Sequence, residues 1–341
     1  MGLTSFVLSE SRNWKTGYKI IWSFGAACVV AIFIWLNDVV EPFKSDNVLY
    51  WFVTMYDLHS DFVYLIATIV TDFLYQNELK QLLIDSGKLD KVLNVLGAKP
   101  NAVLVKRYYQ LYLLIQALGN TVAHFTADTT VSNKKIRFFT ITNTLHWFVD
   151  MYKISVDAAL QAWIISTTIK LRSINRCPLK TVTDMELVQR VHQKTCVIFI
   201  KLSKIYSLPT VISLGMDYFV VTLQTYKLFI LIIDKNFHSM NILNVLSFLL
   251  WSGLSIGSLI GVCALAVKTE MAMKKRLFNL SLVEDYSLRH KMRAMAMQML
   301  HFKVEFRTAK FFVVDVPLLF HMGSAASVYI FILLQFYYFY V

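Results

Sequence analysis

Apolar runs long enough to cross a bilayer recur seven times along these 341 residues, which limits the possible folds more than any single motif does. A helix rises 1.5 Å per residue, so about 20 apolar residues cover the ~30 Å hydrocarbon core. The runs lie at 19–36, 50–74, 108–127, 138–168, 205–233, 242–267 and 317–340. Only 16% of residues are charged, against the roughly 25% that solvates a soluble surface, and the mean hydropathy is +0.52. The chain reads as an all-α membrane protein with seven transmembrane helices.

The connections set the expected orientation. Lys and Arg number three in the N-terminal segment, six after the second run, eight in 170–204 and ten in 268–316. The opposite side carries five: Lys44, Lys134, Lys135, Arg137 and Lys235. Basic residues collect on the cytoplasmic side, so the N-terminus is expected inside and the C-terminus outside. G-protein-coupled receptors have the reverse orientation. Residues 1–18 read as a cytoplasmic N-terminus without a signal peptide. Residues 19–267 then hold six helices, 268–316 a cytoplasmic helical segment and 317–341 the last helix. The net charge of +12 belongs to these loops, and with no zinc-finger spacing or basic heptad region nucleic acid is not expected as a partner.

Within 281–313, Met292, Met295, Met299 and Phe302 alternate with Arg289, Lys291, Arg293 and Lys303, the pattern of a cytoplasmic amphipathic helix. Cys28 and Cys263 fall in apolar runs, and Cys177 and Cys196 in the basic 170–204 connection, so no disulfide is expected. His192 and Cys196 are one helical turn apart but lack two further ligands. They read as ordinary helix surface, and neither a metal nor any other cofactor is expected.

Polar residues at membrane depth must face protein or water. Gln116, Asn120 and His124 recur every four residues on one face of the third run. Asp57, Asp61, Tyr64, Thr68 and Thr71 form a stripe on the second. Together they point to a water-accessible cavity in the outer half, to which Trp51, His146 and Trp147 could contribute; the alternative is an interhelical hydrogen-bond seam without a ligand. Asp150, Lys153 and Asp157 sit at i, i+3 and i+7 and are expected to neutralise one another within their helix. Asp217 stands alone in the fifth run and is a functional candidate, with Lys153 as an equally plausible partner. Gly253, Gly257 and Gly261 read as a seam for close helix packing.

The last run closes on Tyr329, five hydrophobic residues, then Gln335 and Phe336. This ending resembles the insect gustatory receptor family, whose signature is Thr-Tyr, five hydrophobic residues and Gln-Phe near the C-terminus; Val328 stands here in place of the Thr. Seven spans, an inside N-terminus and a long cytoplasmic segment before the last helix are similar as well. The resemblance implies a ligand-gated, non-selective channel for monovalent and divalent cations in the plasma membrane of gustatory receptor neurons. It implies a homo- or heterotetramer with other gustatory subunits, embedded in lipid and requiring no G protein. The last helix would line the pore, with Val328, Phe331, Gln335 and Phe336 at or near its gate. A small-molecule tastant, sugar or bitter, would enter the outer-half cavity, for which Trp51, Asp57, Asp61, Asn120, His124, His146 and Trp147 are the candidates. The segment 268–316 would act as a cytoplasmic anchor.

Other classes stay open at this point. An odorant-type subunit needing a co-receptor is the nearest. A secondary transporter would use the intramembrane acids but lacks paired broken helices or an internal repeat. No H-x-x-x-H or H-x-x-x-x-D pattern occurs, and no catalytic residue is expected.

Overall fold

The computed structural model describes residues 48–98, 102–128, 136–176, 182–233, 249–250, 252–258, 260–261, 297, 305–308 and 312–340. The long helices are α1 (Val48–Val95), α2 (Ala102–Asp128), α3 (Ile136–Arg176), α4 (Val182–Ile205), α5 (Ser207–Ile233) and α6 (Val316–Tyr340). A two-stranded sheet, β1 (Arg307–Thr308) and β2 (Phe312–Val313), precedes α6. The expected span at 19–36 lies outside the described residues. Of 242–267, the described residues between 249 and 261 are helical.

The faces of α1 and α2 are inverted relative to a soluble protein. On α1, Tyr64, Thr68 and Thr71 are buried while Val63, Ile66, Val70, Phe73 and Leu74 point outward. On α2, Gln116 and Asn120 are buried while Leu111, Leu114, Ile115, Leu118 and Val122 are exposed. Polar groups inside and a continuous apolar exterior suit hydrocarbon as solvent, where each buried polar group must find a partner in protein. Thr68 does so locally, donating to the Tyr64 carbonyl at 2.8 Å.

The same helices continue into a region patterned like a soluble core. α1 has 48 residues, about 72 Å at 1.5 Å per residue and more than a bilayer core can cover. In its second half Leu79, Leu82, Leu89 and Leu93 are buried, while Lys80, Gln81, Lys88 and Lys91 stay exposed. They cluster with Leu160, Ile164, Leu171 and Ile174 of α3, Met185, Val188, Phe199 and Leu202 of α4, and Phe306 and Val314. Truncating one of these leucines to alanine costs about 2–5 kcal/mol. The buried Lys170 ammonium ties α3 to α1, donating to the Ser86 hydroxyl and, at 3.2 Å, to its carbonyl. It also pairs with Asp90 at 3.0 Å.

α1 ends at Gly97, whose φ of 74° is the left-handed conformation glycine accepts without a Cβ penalty. The Ala98 N–H reaches the Leu93 carbonyl at 2.9 Å and the Gly97 N–H reaches Asn94 at 3.1 Å, the paired bonds of a Schellman cap.

Residues 170–204, read as a basic connection, contain α4, whose inner face includes His192 and Cys196. Both are buried, and the Cys196 sulfur lies 3.7 Å from His192 Nδ1. The expectation of ordinary helix surface is thereby corrected: Met185, Val188, Cys196, Phe199 and Leu202 share the same buried face. Burial pushes the Cys196 thiol up to about 12.

α4 and α5 meet at a 59° bend. Pro209 lacks the N–H that would bond the Ile205 carbonyl, and its ring crowds that oxygen. The flanking bonds survive, from Tyr206 N to Leu202 O and from Thr210 N to Tyr206 O, each at 3.0 Å.

The amphipathic helix expected over 281–313 does not reach 313. Most of that segment lies outside the described residues, and at its end Arg307 pairs antiparallel with Val313 and Thr308 with Phe312. The Ser203 hydroxyl of α4 accepts from the Arg307 N–H at 3.0 Å and donates to its carbonyl at 2.7 Å. Phe306 packs edge-on against Phe199, with centroids 6.1 Å apart. These contacts fix an extended backbone where the charge pattern alone allows a helix. Asp315 then caps α6, accepting from the Leu318 N–H at 3.0 Å, with Pro317 in the first turn.

Candidate functional site

Four helical segments border a small cleft that is open on one side. α2 contributes Tyr112, Gln116 and Asn120, spaced by four so that all three face one way. α3 contributes Asp150, Lys153, Ile154 and Asp157, and α5 contributes Asp217. Leu254, Ser255 and Ser258 close the far side. Of the expected ligand residues, Asn120 is here, with its stripe neighbour Gln116. Tyr112, one turn earlier, extends the same stripe and stacks on Tyr108 at 6.3 Å.

The charges inside the cleft pair across helices. Lys153 Nζ meets Asp217 Oδ1 at 2.6 Å, with side chains 15% and 4% exposed. Ser213 of α5 donates to Asp157 at 3.2 Å. The within-helix neutralisation expected for Asp150, Lys153 and Asp157 is therefore corrected. Lys153 bonds the fifth-run acid, because α5 brings a buried carboxylate into direct contact while Asp157 finds a hydroxyl. A buried pair of this kind adds little net stability, yet losing one partner costs about 3–5 kcal/mol.

The remaining wall contacts are longer. Tyr112 donates to Ser258 at 3.4 Å, and Gln116 donates to the Leu254 carbonyl at 3.5 Å. Asn120 Nδ2 and the Tyr64 hydroxyl are buried without a hydrogen-bond partner. Asp157 is a charged neighbour of that hydroxyl. Below the cleft, Tyr108 donates to Gln161 at 3.1 Å.

Trp147 is held at the rim of α3, its indole N–H donating to Thr121 Oγ1 at 3.1 Å. The side chains of Trp51, Asp57, Asp61, His124 and His146 lie outside the described residues; their backbones are helical, in α1, α2 and α3. Of the expected glycine seam, the described residues show a close approach at Gly261. A Cβ on Gly253 or Gly257 would meet nothing within 4 Å among the described residues. On Gly261 it would come within 3.3 Å of the Gln161 amide, and the tightest approach is at Gly119 of α2, 2.8 Å from a Leu254 methyl.

α6 is the one described helix that alone is long and apolar enough to span a membrane, over Val316–Phe336, and only 6% of that window is buried. Leu318, Leu319 and Met322 rest against the core. Farther along, Val328, Tyr329, Phe331, Gln335 and Phe336 are all exposed on the single chain. α6 lies against α5, where Tyr218 has Tyr329 as an electrostatic neighbour.

The profile of the 7tm Chemosensory receptor family matches residues 1–340. The chain belongs to that family. It is a multi-pass, seven-helix membrane chemosensory receptor, from a family of receptors and not of enzymes. Comparison with curated proteins gives no significant match. Among solved structures, the insect olfactory receptor OR5 from Machilis hrabei is similar in fold, with a TM-score of 0.61 at 13% identity, over 96% of this chain and 92% of that one. The same receptor in complex with eugenol gives 0.63 at 14% identity, with the same coverage.

Proposed function

We propose that this chemoreceptor is a gustatory receptor subunit. It forms a non-selective cation channel in the plasma membrane of sensory neurons, opened by a soluble tastant. Four subunits, identical or mixed, surround a pore lined by α6, with the N-terminus inside and 268–316 as the cytoplasmic anchor.

The observation that carries this reading is the exposed outer part of α6. Gln335 would be costly against lipid, and a symmetric axis gives it water and partner subunits instead. Phe331, Val328 and Phe336 supply a ring able to close the pore by dewetting, and Gln335 a polar ring past which cations move. The polar cleft is the companion ligand site, and the outer-half candidates Trp51, Asp57, Asp61, His124, His146 and Trp147 extend it. Asp217 bonds the cleft lysine while its chain neighbour Tyr218 adjoins Tyr329, so a ligand that shifts α5 is felt by α6. Such a ligand opens the pore only by as much as it binds the open state more tightly.

The test is expression of this chain alone in a cell line, a panel of sugars and bitter compounds, and a cation-current readout. Ligand-evoked current without another subunit supports the reading. Current that appears only with a co-receptor subunit supports the odorant-type reading, which the fold likeness to an olfactory receptor favours. Saturable uptake without channel openings supports a transporter.

A further inference from the structure

The charged groups of the cleft meet one another's needs. Lys153 bonds Asp217 at 2.6 Å and has Asp157 and Asp150 as further electrostatic neighbours. Asp157 also accepts from Ser213 at 3.2 Å. On the far wall Ser258 accepts from Tyr112, and the Leu254 carbonyl accepts from Gln116. What the cleft leaves unmet is a donor. Asn120 lines it at 2% exposure, and its Nδ2 has no hydrogen-bond partner.

A buried donor without an acceptor is rare, and at membrane depth bulk water does not supply one. One turn away on the same stripe, Gln116 Nε2 reaches its carbonyl only at 3.5 Å, beyond the roughly 2.7–3.2 Å of an ordinary N–H···O bond. Residues four apart on a helix hold their Cβ atoms about 5–6 Å from each other, so both amides can converge on one oxygen between them. A carbonyl oxygen has two lone pairs for the two donors and brings no donor of its own. A hydroxyl brings a further donor, which must compete for acceptors already in use. A hydrocarbon offers Asn120 nothing, and a charged ligand would have to break into the Lys153 network.

We propose that the cleft takes small uncharged carbonyl compounds of the ketone and ester class. The carbonyl oxygen accepts from Asn120 Nδ2 and from the second N–H of the Gln116 amide. Asn120 thereby sets the chemistry of the ligand. This rests on the cleft being the ligand site.

The test measures binding to the purified full chain in lipid nanodiscs, by ligand-dependent thermal shift, so that it does not depend on conduction. The probes are cyclohexanone, cyclohexanol and methylenecyclohexane, the last replacing C=O by C=CH2 at nearly the same shape. The affinity ratio of cyclohexanone to methylenecyclohexane should be at least about tenfold larger on the native chain than on Asn120→Leu, equivalent to about 1.4 kcal/mol. Comparing one ligand pair on two chains cancels partitioning into lipid. On the native chain cyclohexanone should bind at least about threefold tighter than cyclohexanol, whose extra donor must be desolvated. Asn120→Leu removes a donor that has no partner and should melt no lower than the native chain without ligand. If it misfolds, Asn120→Ala makes the same comparison, and the ligand order on the native chain decides by itself. An equal ratio on the two chains, the outcome if Asn120 holds only a water, overturns the proposal. Cyclohexanol binding as tightly as cyclohexanone, or no shift with cyclohexanone, overturns it too. Sugar-evoked current from a chain that fails this test leaves the channel reading standing. Carbonyl binding by a chain that never conducts leaves the ligand class standing.

Discussion

Replacing Lys153 with methionine removes the only described cation of a cleft that holds three carboxylates. Asp217, 4% exposed and bonded to Lys153 at 2.6 Å, then becomes a buried, unpaired charge beside Asp157 and Asp150, the lysine's other carboxylate neighbours. Orphaning one partner of a buried pair costs about 3–5 kcal/mol, and the like charges left behind place Lys153→Met toward the upper end. The reciprocal change, Asp217→Asn, is milder, because Lys153 keeps those two carboxylates nearby and the asparagine oxygen can still accept from it. It should cost about 1–3 kcal/mol, the penalty of one impaired buried hydrogen bond. Combining Lys153→Met with Asp217→Asn should then cost less than the sum of the singles by at least about 1.5 kcal/mol. Thermal unfolding of the detergent-purified chain, followed by tryptophan fluorescence, reads the order directly. Native melts highest, then Asp217→Asn, and Lys153→Met lowest, with the double variant above Lys153→Met. Additive losses, or Asp217→Asn melting below Lys153→Met, would refute the cross-helix pairing.

Two further outcomes follow from the region outside the cleft. Gly97→Ala forces a Cβ into the left-handed cap that ends α1 and should cost about 1–2 kcal/mol, read as a lower melting temperature with the α-helical circular dichroism unchanged. Cys196, fully buried with its thiol pushed up to about 12, should react with maleimide at pH 8 at least about a hundredfold more slowly in the native chain than after denaturation. Peptide-level mass spectrometry checks this, and labelling at the unfolded rate would contradict the burial of α4.

The spans were legible because hydrocarbon demands long apolar runs, and 138–168 and 317–340 fall within α3 and α6. α4 was not, because eight basic residues in 170–204 made a helix look like a connection. Its buried face, Met185, Val188, Cys196, Phe199 and Leu202, was present as a three-to-four spacing, but His192 and Thr195 interrupt it. The polar stripe through Gln116 and Asn120 was readable because a four-residue repeat fixes one helix face. The choice of Asp217 by Lys153 was not, since periodicity along α3 offers Asp150 and Asp157 equally and only the approach of α5 decides. The glycine seam was legible only at Gly261, for a related reason. Small residues permit close packing, but which helix comes near is a tertiary fact, and among the described residues the tightest contact falls on Gly119.

The pore assignment is tested most directly by Gln335→Ala, expressed alongside the native chain and recorded under whole-cell clamp, with assembly followed on native gels. A polar ring at the outer end of α6 predicts a changed conductance or relative cation permeability, with the oligomer intact. Native conductance and native permeability ratios in a correctly assembled Gln335→Ala receptor would take that residue, and with it α6, out of the pore.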